Sequence, residues 1–348
     1  MELCERLGLP CYCNKEAWHY SRNKYDFKKV CRECGVPVAK DYCLSDSLTE
    51  EELRKVEYPV VVKPVDLSGN EGISYCHNQE ELIAGYRYAR AVSRNPRIIV
   101  EKMLVGREYD IHYAFTEGTI RPICLIERMA QPEEQKNIYS ISTSCTNNVE
   151  RFMEEMNPAI EKALRQIGCR EGIAWVEMML DQDHRFYALE MGYRFNGPAP
   201  DKAFPFLFGF DTEQWVLDYS LGIKHGPGDL PVAQKHAYRK CSCGYALWTR
   251  KSGKISEIKG FDAINQAEGI SCTFTLPTGF EFQDHSMLTT ISVAAEDIDD
   301  FLAKIDYINQ TVSILDEEGE DVIIRFTDYE TIKANYQRGQ YERNKVFY

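Results

Sequence analysis

Glu177 and Glu190 sit in two short apolar runs, 173–180 and 186–191, joined by the polar stretch 181–185. The pattern predicts a β-hairpin with 181–185 as its turn. Pairing Leu180 with Tyr187 sets Glu177 opposite Glu190 on one face, with Cβ atoms about 4.5–5.5 Å apart. Two carboxylates at that distance within apolar strands repel each other unless a cation joins them. A divalent ion with hard oxygen ligands meets the need, and Mg²⁺ held by one or two carboxylates usually comes with substrate phosphates. The hairpin therefore asks for a nucleotide site.

Other residues can serve such a site. Lys63 ends the apolar strand predicted over 58–63, where a lysine either snorkels or presents a fixed positive charge. Ser68-Gly-Asn-Glu-Gly72 follows as a glycine-bearing loop, whose backbone N–H groups can approach an anion closely. Lys24 opens a helix stopped by Gly35, with Pro37 beyond. Arg128 ends a strand and reads either as an anion-binding group or as a surface arginine.

The elements that position these residues follow from pattern. A charged helix is predicted over 49–56. Asn78 opens a helix in a capping-box arrangement with Glu81, and a strand runs from Arg97 to Lys102. Strands over 109–115 and 120–127 flank the Glu117-Gly118 turn. Asn157-Pro158 reads as a cap and first-turn proline for a helix closed by Gly168. Gly and Pro cluster like a linker over 224–231. Beyond it lies a smaller α+β unit, with a strand over 289–293, a helical stripe of Ile298, Phe301, Leu302, Ile305 and Ile308, and strands over 312–315 and 322–326.

The chain has 348 residues, 44% hydrophobic and 27% charged, which suits two or three domains with real cores. The net charge of −13 disfavours nucleic-acid and anionic-membrane partners, since the overall field repels phosphate backbones. No apolar run has the ~20 residues of a membrane span, and no export signal is visible, so a cytoplasmic location is expected. The 13 cysteines then read as reduced thiols. Cys31-x-x-Cys34 lacks the second ligand pair that a zinc site needs.

The order helix, strand with terminal lysine, glycine loop, helix, strand ending in Glu-Lys, then carboxylate hairpin resembles the ATP-grasp superfamily over roughly residues 20–222. The resemblance implies an α+β ATP-grasp fold: two α+β lobes clamping ATP, plus the small C-terminal α+β unit. It implies a smaller lobe at 37–100 and a larger lobe at 101–225 within a domain spanning 21–225, with 226–348 as the third unit. Residues 1–20 would be a remnant of the family's N-terminal Rossmann-like domain.

By the same resemblance, Lys24 and Lys63 reach the ATP phosphates, and Ser68, Gly69 and Gly72 close over them. Glu101-Lys102-Met103-Leu104 holds adenine, with backbone groups of Lys102 and Leu104 on the base edge and the Glu101 side chain nearby. Glu108 takes the ribose hydroxyls. Glu177 and Glu190 bind Mg²⁺, with Mn²⁺ as an alternative ion. Arg194 faces an acyl phosphate. The family usually has Asn or Asp where Gly192 stands, and Asn196 is the nearest substitute ligand. Biotin carboxylases carry Val-Glu-His just after the arginine. Phe195-Asn-Gly-Pro-Ala-Pro200 stands here instead, so bicarbonate chemistry is disfavoured.

The implied activity is ligation of a small-molecule carboxylate to an amine, with release of ADP and phosphate. The implied partners are those two substrates, with a homodimer open. The alternative is a nucleotide-binding module without turnover.

Overall fold

The structure is a computed structural model that describes residues 1–67, 71–131, 138–197, 201–274 and 276–345. Ser68 and Gly69 of the predicted phosphate loop lie outside the described residues.

A small lobe forms around three antiparallel strands, β1 (Val60–Pro64), β2 (Ser74–Cys76) and β3 (Ile98–Lys102), in the order β2-β1-β3. Val60, Val62 and Val100 point inward and are fully buried. They pack on Leu82, Tyr86 and Ala89, which lie on one face of the Gln79–Val92 helix. Asn78 caps that helix by accepting from the Glu81 N–H. The charged helix expected over 49–56 is one turn, Glu50–Leu53, closed by a Thr49–Glu52 capping box. Only Leu53 of that turn is buried, too little packing to extend a helix further.

The large sheet is antiparallel throughout. Its strands include β4 (Gly106–Thr116), β5 (Thr119–Ala130), β6 (Tyr139–Thr143), β7 (Gly172–Asp181), β8 (Phe186–Gly192) and β9 (Cys241–Thr249). The order β9-β6-β5-β4-β7-β8 continues beyond β9 through Met287–Ala295 to Ile270–Ser271. One sheet therefore runs across the linker-like stretch at 224–231, which contains a single 3₁₀ turn, Pro227–Asp229. The Lys24–Cys34 and Asn157–Ile167 helices pack against the β4–β8 end. Ala17, on the Lys15–Arg22 helix, is buried in that same core. The Ile298–Thr311 helix covers the far end with Phe301, Ile305 and Ile308.

Two local expectations need correction. Asn157 is not the helix cap. Met156 occupies that position, directly after the Val149–Glu155 helix, and Asn157 sits in the first turn. Its carboxamide oxygen accepts from Tyr113 Oη at 2.7 Å. The hairpin register also differs. Leu180 pairs with Phe186 and Met179 with Tyr187. A bulge then adds Leu189 to β8 between the Met178–Ala188 and Glu177–Glu190 pairs. The extra residue re-aims the strand and restores Glu177 opposite Glu190, which the unbulged register would have separated.

Candidate active site

Pairing across β4, β7 and β8 sets residues on one face of the sheet in rows. Asp110, Glu177 and Glu190 make one row, since Asp110 is opposite Glu177 and Glu177 opposite Glu190. His112, Trp175 and Gly192 make the next. Glu108, two residues before Asp110, faces Arg128 on β5. Sequence reading missed Asp110, although the alternation Glu108-x-Asp110-x-His112 on a strand signals a shared face.

Arg128 is neither a free anion binder nor a surface arginine. Its Nε donates to Asp110 Oδ2 at 2.7 Å and its Nη1 to Glu177 Oε2 at 3.0 Å, and Nη1 lies 3.5 Å from Glu108. Glu108, expected at ribose, is committed here to Arg128 and to a hydrogen bond with Tyr139. Burial, the largest effect, raises the Glu108 carboxyl above its ordinary value. Asn196 is buried, and its Nδ2 donates to Asp110 Oδ2 at 3.0 Å. It therefore braces Asp110 through the same oxygen that accepts from Arg128.

The hairpin pair is electrostatically split. Burial pushes the Glu177 carboxyl up to about 8, with repulsion from Glu190, Glu108 and Asp110 adding to it and Arg128 opposing it. Burial works against ionisation of Glu190 too, but Lys24, Lys63 and Arg128 outweigh it and hold Glu190 below the usual carboxylate range. Lys24 Nζ lies 2.6 Å from Glu190 Oε2 and also donates to the Leu67 carbonyl at 2.9 Å. Lys24 thus ties Glu190 to the start of the glycine loop.

A divalent ion fits this donor set. Asp110 Oδ1 is buried and has no hydrogen-bond partner among the described residues. Glu177 and Glu190 are hard oxygen ligands side by side, and burial, with repulsion from the neighbouring acids, drives Glu177 toward protonation. Among the described residues, three acidic ligand atoms come within mutual reach only at Asp316, Glu318 and Glu320. Lys251 already sits 2.5 Å from both Asp316 and Glu320, so that turn has a cation of its own, and it lies outside this face.

Lys63 and Glu101 form an ion pair at the lobe junction, and Lys28 pairs with the same carboxylate. Lys28 was not foreseen, although it stands one helical turn after Lys24. All three side chains are buried. Burial drives the Lys28 ammonium down to about 8. Glu101 resists burial because Lys28 and Lys63 hold it down to about 2. The Glu101 carboxylate, expected near the base edge, is held between two ammonium groups.

In the hinge, Lys102 N–H donates to Lys40 O at 2.9 Å and Met103 N–H to Pro59 O at 3.0 Å. The Leu104 N–H has no protein acceptor among the described residues. Gly72 has φ +77°, and a Cβ there would meet Pro64 Cγ at 2.6 Å, so the loop passes tightly over the end of β1.

Arg194 is exposed and has no carboxylate partner among the described residues. Its guanidinium lies 5.3 Å from the Trp175 ring centroid, and its Nη1 donates to Phe195 O at 2.7 Å. Free charge on Arg194, buried charge on Lys63 and a paired carboxylate face can neutralise and orient a polyphosphate and its metal.

Residues 56–200 match the family described as ATP-grasp domain. The fold resembles an L-amino acid ligase from Bacillus licheniformis, with a TM-score of 0.71 and 18% identity over 91% of this chain and 77% of that one. It also resembles a biotin carboxylase from Campylobacter jejuni, with a TM-score of 0.72 and 18% identity over 95% of this chain and 75% of that one. A D-alanine–D-alanine ligase of Solibacter usitatus (strain Ellin6076) is 29% identical over 181 residues, 49% of this chain and 54% of that protein. The alpha subunit of mitochondrial methylcrotonoyl-CoA carboxylase from Mus musculus is 26% identical over 218 residues, 60% of this chain and 29% of that protein. The chain therefore spans about half of the ligase's length and less than a third of the carboxylase subunit's. No helix among the described residues is long and apolar enough to cross a membrane.

Proposed function

Because this chain carries an ATP-grasp domain, we propose that it is an ATP- and Mg²⁺-dependent ligase that joins a small-molecule carboxylate to an amine. The observation that carries the reading is the Glu177–Glu190 pair on one sheet face, with Lys24 on Glu190 and Lys63 close enough to act on it. A bound divalent ion supplies positive charge that draws the nucleotide phosphates onto this face. Glu177 and Glu190 hold that ion. Lys63 moves from Glu101 to the phosphates, while Lys28 stays behind to neutralise Glu101. The Leu104 N–H meets the base edge, and Arg194 meets the anion formed from the substrate.

In the first step a substrate carboxylate oxygen attacks the γ-phosphorus, and the bond to the bridging oxygen breaks with its electron pair leaving on ADP. In the second step the amine attacks the acyl carbon. The C–O bond to phosphate breaks, orthophosphate leaves with the electron pair, and the amine loses a proton. Lysines and Arg194 stabilise charge as it spreads over the transferring group.

A second reading, nucleotide binding without turnover, draws support from Gly192, which offers no side-chain ligand to the ion. The deciding experiment measures ADP release with a matrix of carboxylates and amines. ADP release that requires both substrates supports ligation. AMP release removes the acyl phosphate, and tight Mg·ATP binding with no release under any pair leaves the binding module.

A further inference from the structure

Gly192 is a glycine because of Trp175. The two residues are paired across the hairpin, two positions before Glu177 and two after Glu190 on their strands, and so share the face of the carboxylate row. A Cβ at Gly192 would lie 2.3 Å from Trp175 Cε2 and 2.5 Å from Nε1. The φ of Gly192 is not in the left-handed region, so backbone conformation does not demand glycine. The indole fills the volume in which any side chain at 192 would project.

Trp175 is 4% exposed, and its Nε1–H is buried without an acceptor among the described residues. An indole nitrogen can only donate, and native proteins rarely leave a buried donor unpaired. Arg194 lies over the same ring, 5.3 Å from its centroid, with no carboxylate partner among the described residues. An unpaired neutral donor beside a cation that has no carboxylate partner among the described residues, at the edge of a carboxylate row suited to a divalent ion, is a donor set for an oxyanion.

We propose that Trp175 Nε1–H and Arg194 form an oxyanion subsite, which takes an oxygen of a phosphoryl or carboxylate group. The indole does this in place of a side-chain ligand at 192, so the ion is held by Glu177 and Glu190 without a third ligand from that position. The identity of the oxyanion rests on the ligase reading; the existence of the subsite does not.

Orthophosphate is the probe. In protein labelled with ¹⁵N at indole, Trp175→Phe identifies the Trp175 resonance among the 4 tryptophans. Orthophosphate added to the MgADP-loaded protein should shift that resonance downfield and saturably, leaving those of Trp18, Trp215 and Trp248 in place. Trp175→Phe keeps a ring against Gly192, and should weaken phosphate binding about ten-fold, as for one hydrogen bond to a charged acceptor. MgADP affinity should be unchanged.

Phosphate binding by calorimetry with the Trp175 resonance unmoved overturns the proposal, as does the absence of phosphate binding. A failure of MgADP to bind counts against the ligase reading instead, and the phosphate titration without nucleotide then decides the subsite by the same criteria. The packing half has its own test. Gly192→Asn should lower the melting temperature, and adding Trp175→Ala should restore it. Equal melting of Gly192→Asn and the parent protein overturns the exclusion of a third ligand.

Discussion

Binding of Mg²⁺ should release a proton from Glu177, and the amount should depend steeply on pH. The Glu177 carboxyl is displaced from 4.5 to about 8 by burial and by its acidic neighbours. Between those values the folded chain holds a proton that the unfolded chain has lost. The raised carboxyl therefore contributes its full stability below pH 4.5 and loses it as pH rises through about 8. In isolation the displacement is worth on the order of 4–5 kcal/mol. A divalent ion at Glu177 and Glu190 needs both carboxylates ionised, so metal takes the place of that proton. With a carboxyl at about 8, close to one proton leaves per ion at pH 7 and about a tenth of one at pH 9. Isothermal titration of Mg²⁺ in two buffers of different ionisation enthalpy measures the release directly. Thermal melts should show Mg²⁺ stabilising more at pH 8.5 than at pH 5.5. Zero release at pH 7, or the same release at both pH values, would refute the electrostatic account of the hairpin.

Three further perturbations follow from the same geometry. Lys63→Ala should weaken Mg·ATP binding by about 1.5–3 kcal/mol, the scale of a charge-assisted contact, and unchanged affinity by calorimetry removes Lys63 from the site. Lys28→Met strips one of two partners from a fully buried carboxylate and should cost about 2–4 kcal/mol in denaturant unfolding, less than a lone buried pair loses because Lys63 remains. It should also weaken nucleotide binding, since Lys63 is then held on Glu101, and full affinity in Lys28→Met would refute the hand-over. Arg194→Lys keeps the charge and loses the planar fork, so turnover should fall far more than ATP affinity; equal losses in both would make Arg194 a plain phosphate contact.

The parts of this site legible in sequence are those fixed by local rules. Gly35 after an amphipathic run ends the Lys24–Cys34 helix, and the apolar run before Lys63 makes β1. The Glu177–Glu190 pairing was also reached, by a register that was wrong at Leu180. The bulge at Leu189 offset the error, and a bulge has no periodic signature, because it is a one-residue interruption set by how β8 must bend. Arg128 could not be placed because its carboxylate neighbours come from two other strands, β4 and β7. Only pairing order brings Glu108, Asp110 and Glu177 around its guanidinium. Lys28 was passed over because a lysine inside a helix is usually solvated, and its burial depends on Glu101, 73 residues away. Trp175 reads as core in any apolar strand. Its meaning lies in the pairing with Gly192, which registers in sequence only as a missing ligand.

The arrangement of charge explains why the face is stable before any ligand arrives. Glu108, Asp110, Glu177 and Glu190 converge, and Arg128 and Lys24 are the cations in contact with them. That is too little positive charge for four ionised carboxylates, and burial, reinforced by repulsion from the other acids, keeps a proton on Glu177. A second deficit of the opposite sign lies at the lobe junction, where Lys28 and Lys63 share Glu101. One region lacks a cation and the other has one to spare, and a metal–polyphosphate ligand carries both complements. Its metal end satisfies the carboxylate face and its phosphate end draws Lys63 away from Glu101. Binding of either half alone leaves one region uncorrected. Nucleotide without metal should therefore bind poorly, because phosphate oxygens would approach the carboxylate row with only Lys24 and Arg128 to offset it. Metal without nucleotide should bind weakly, with the proton release described above and no effect on Lys63. Cooperative binding of the two is the consequence, and equal nucleotide affinity with and without Mg²⁺ would show that the two regions do not act on one ligand.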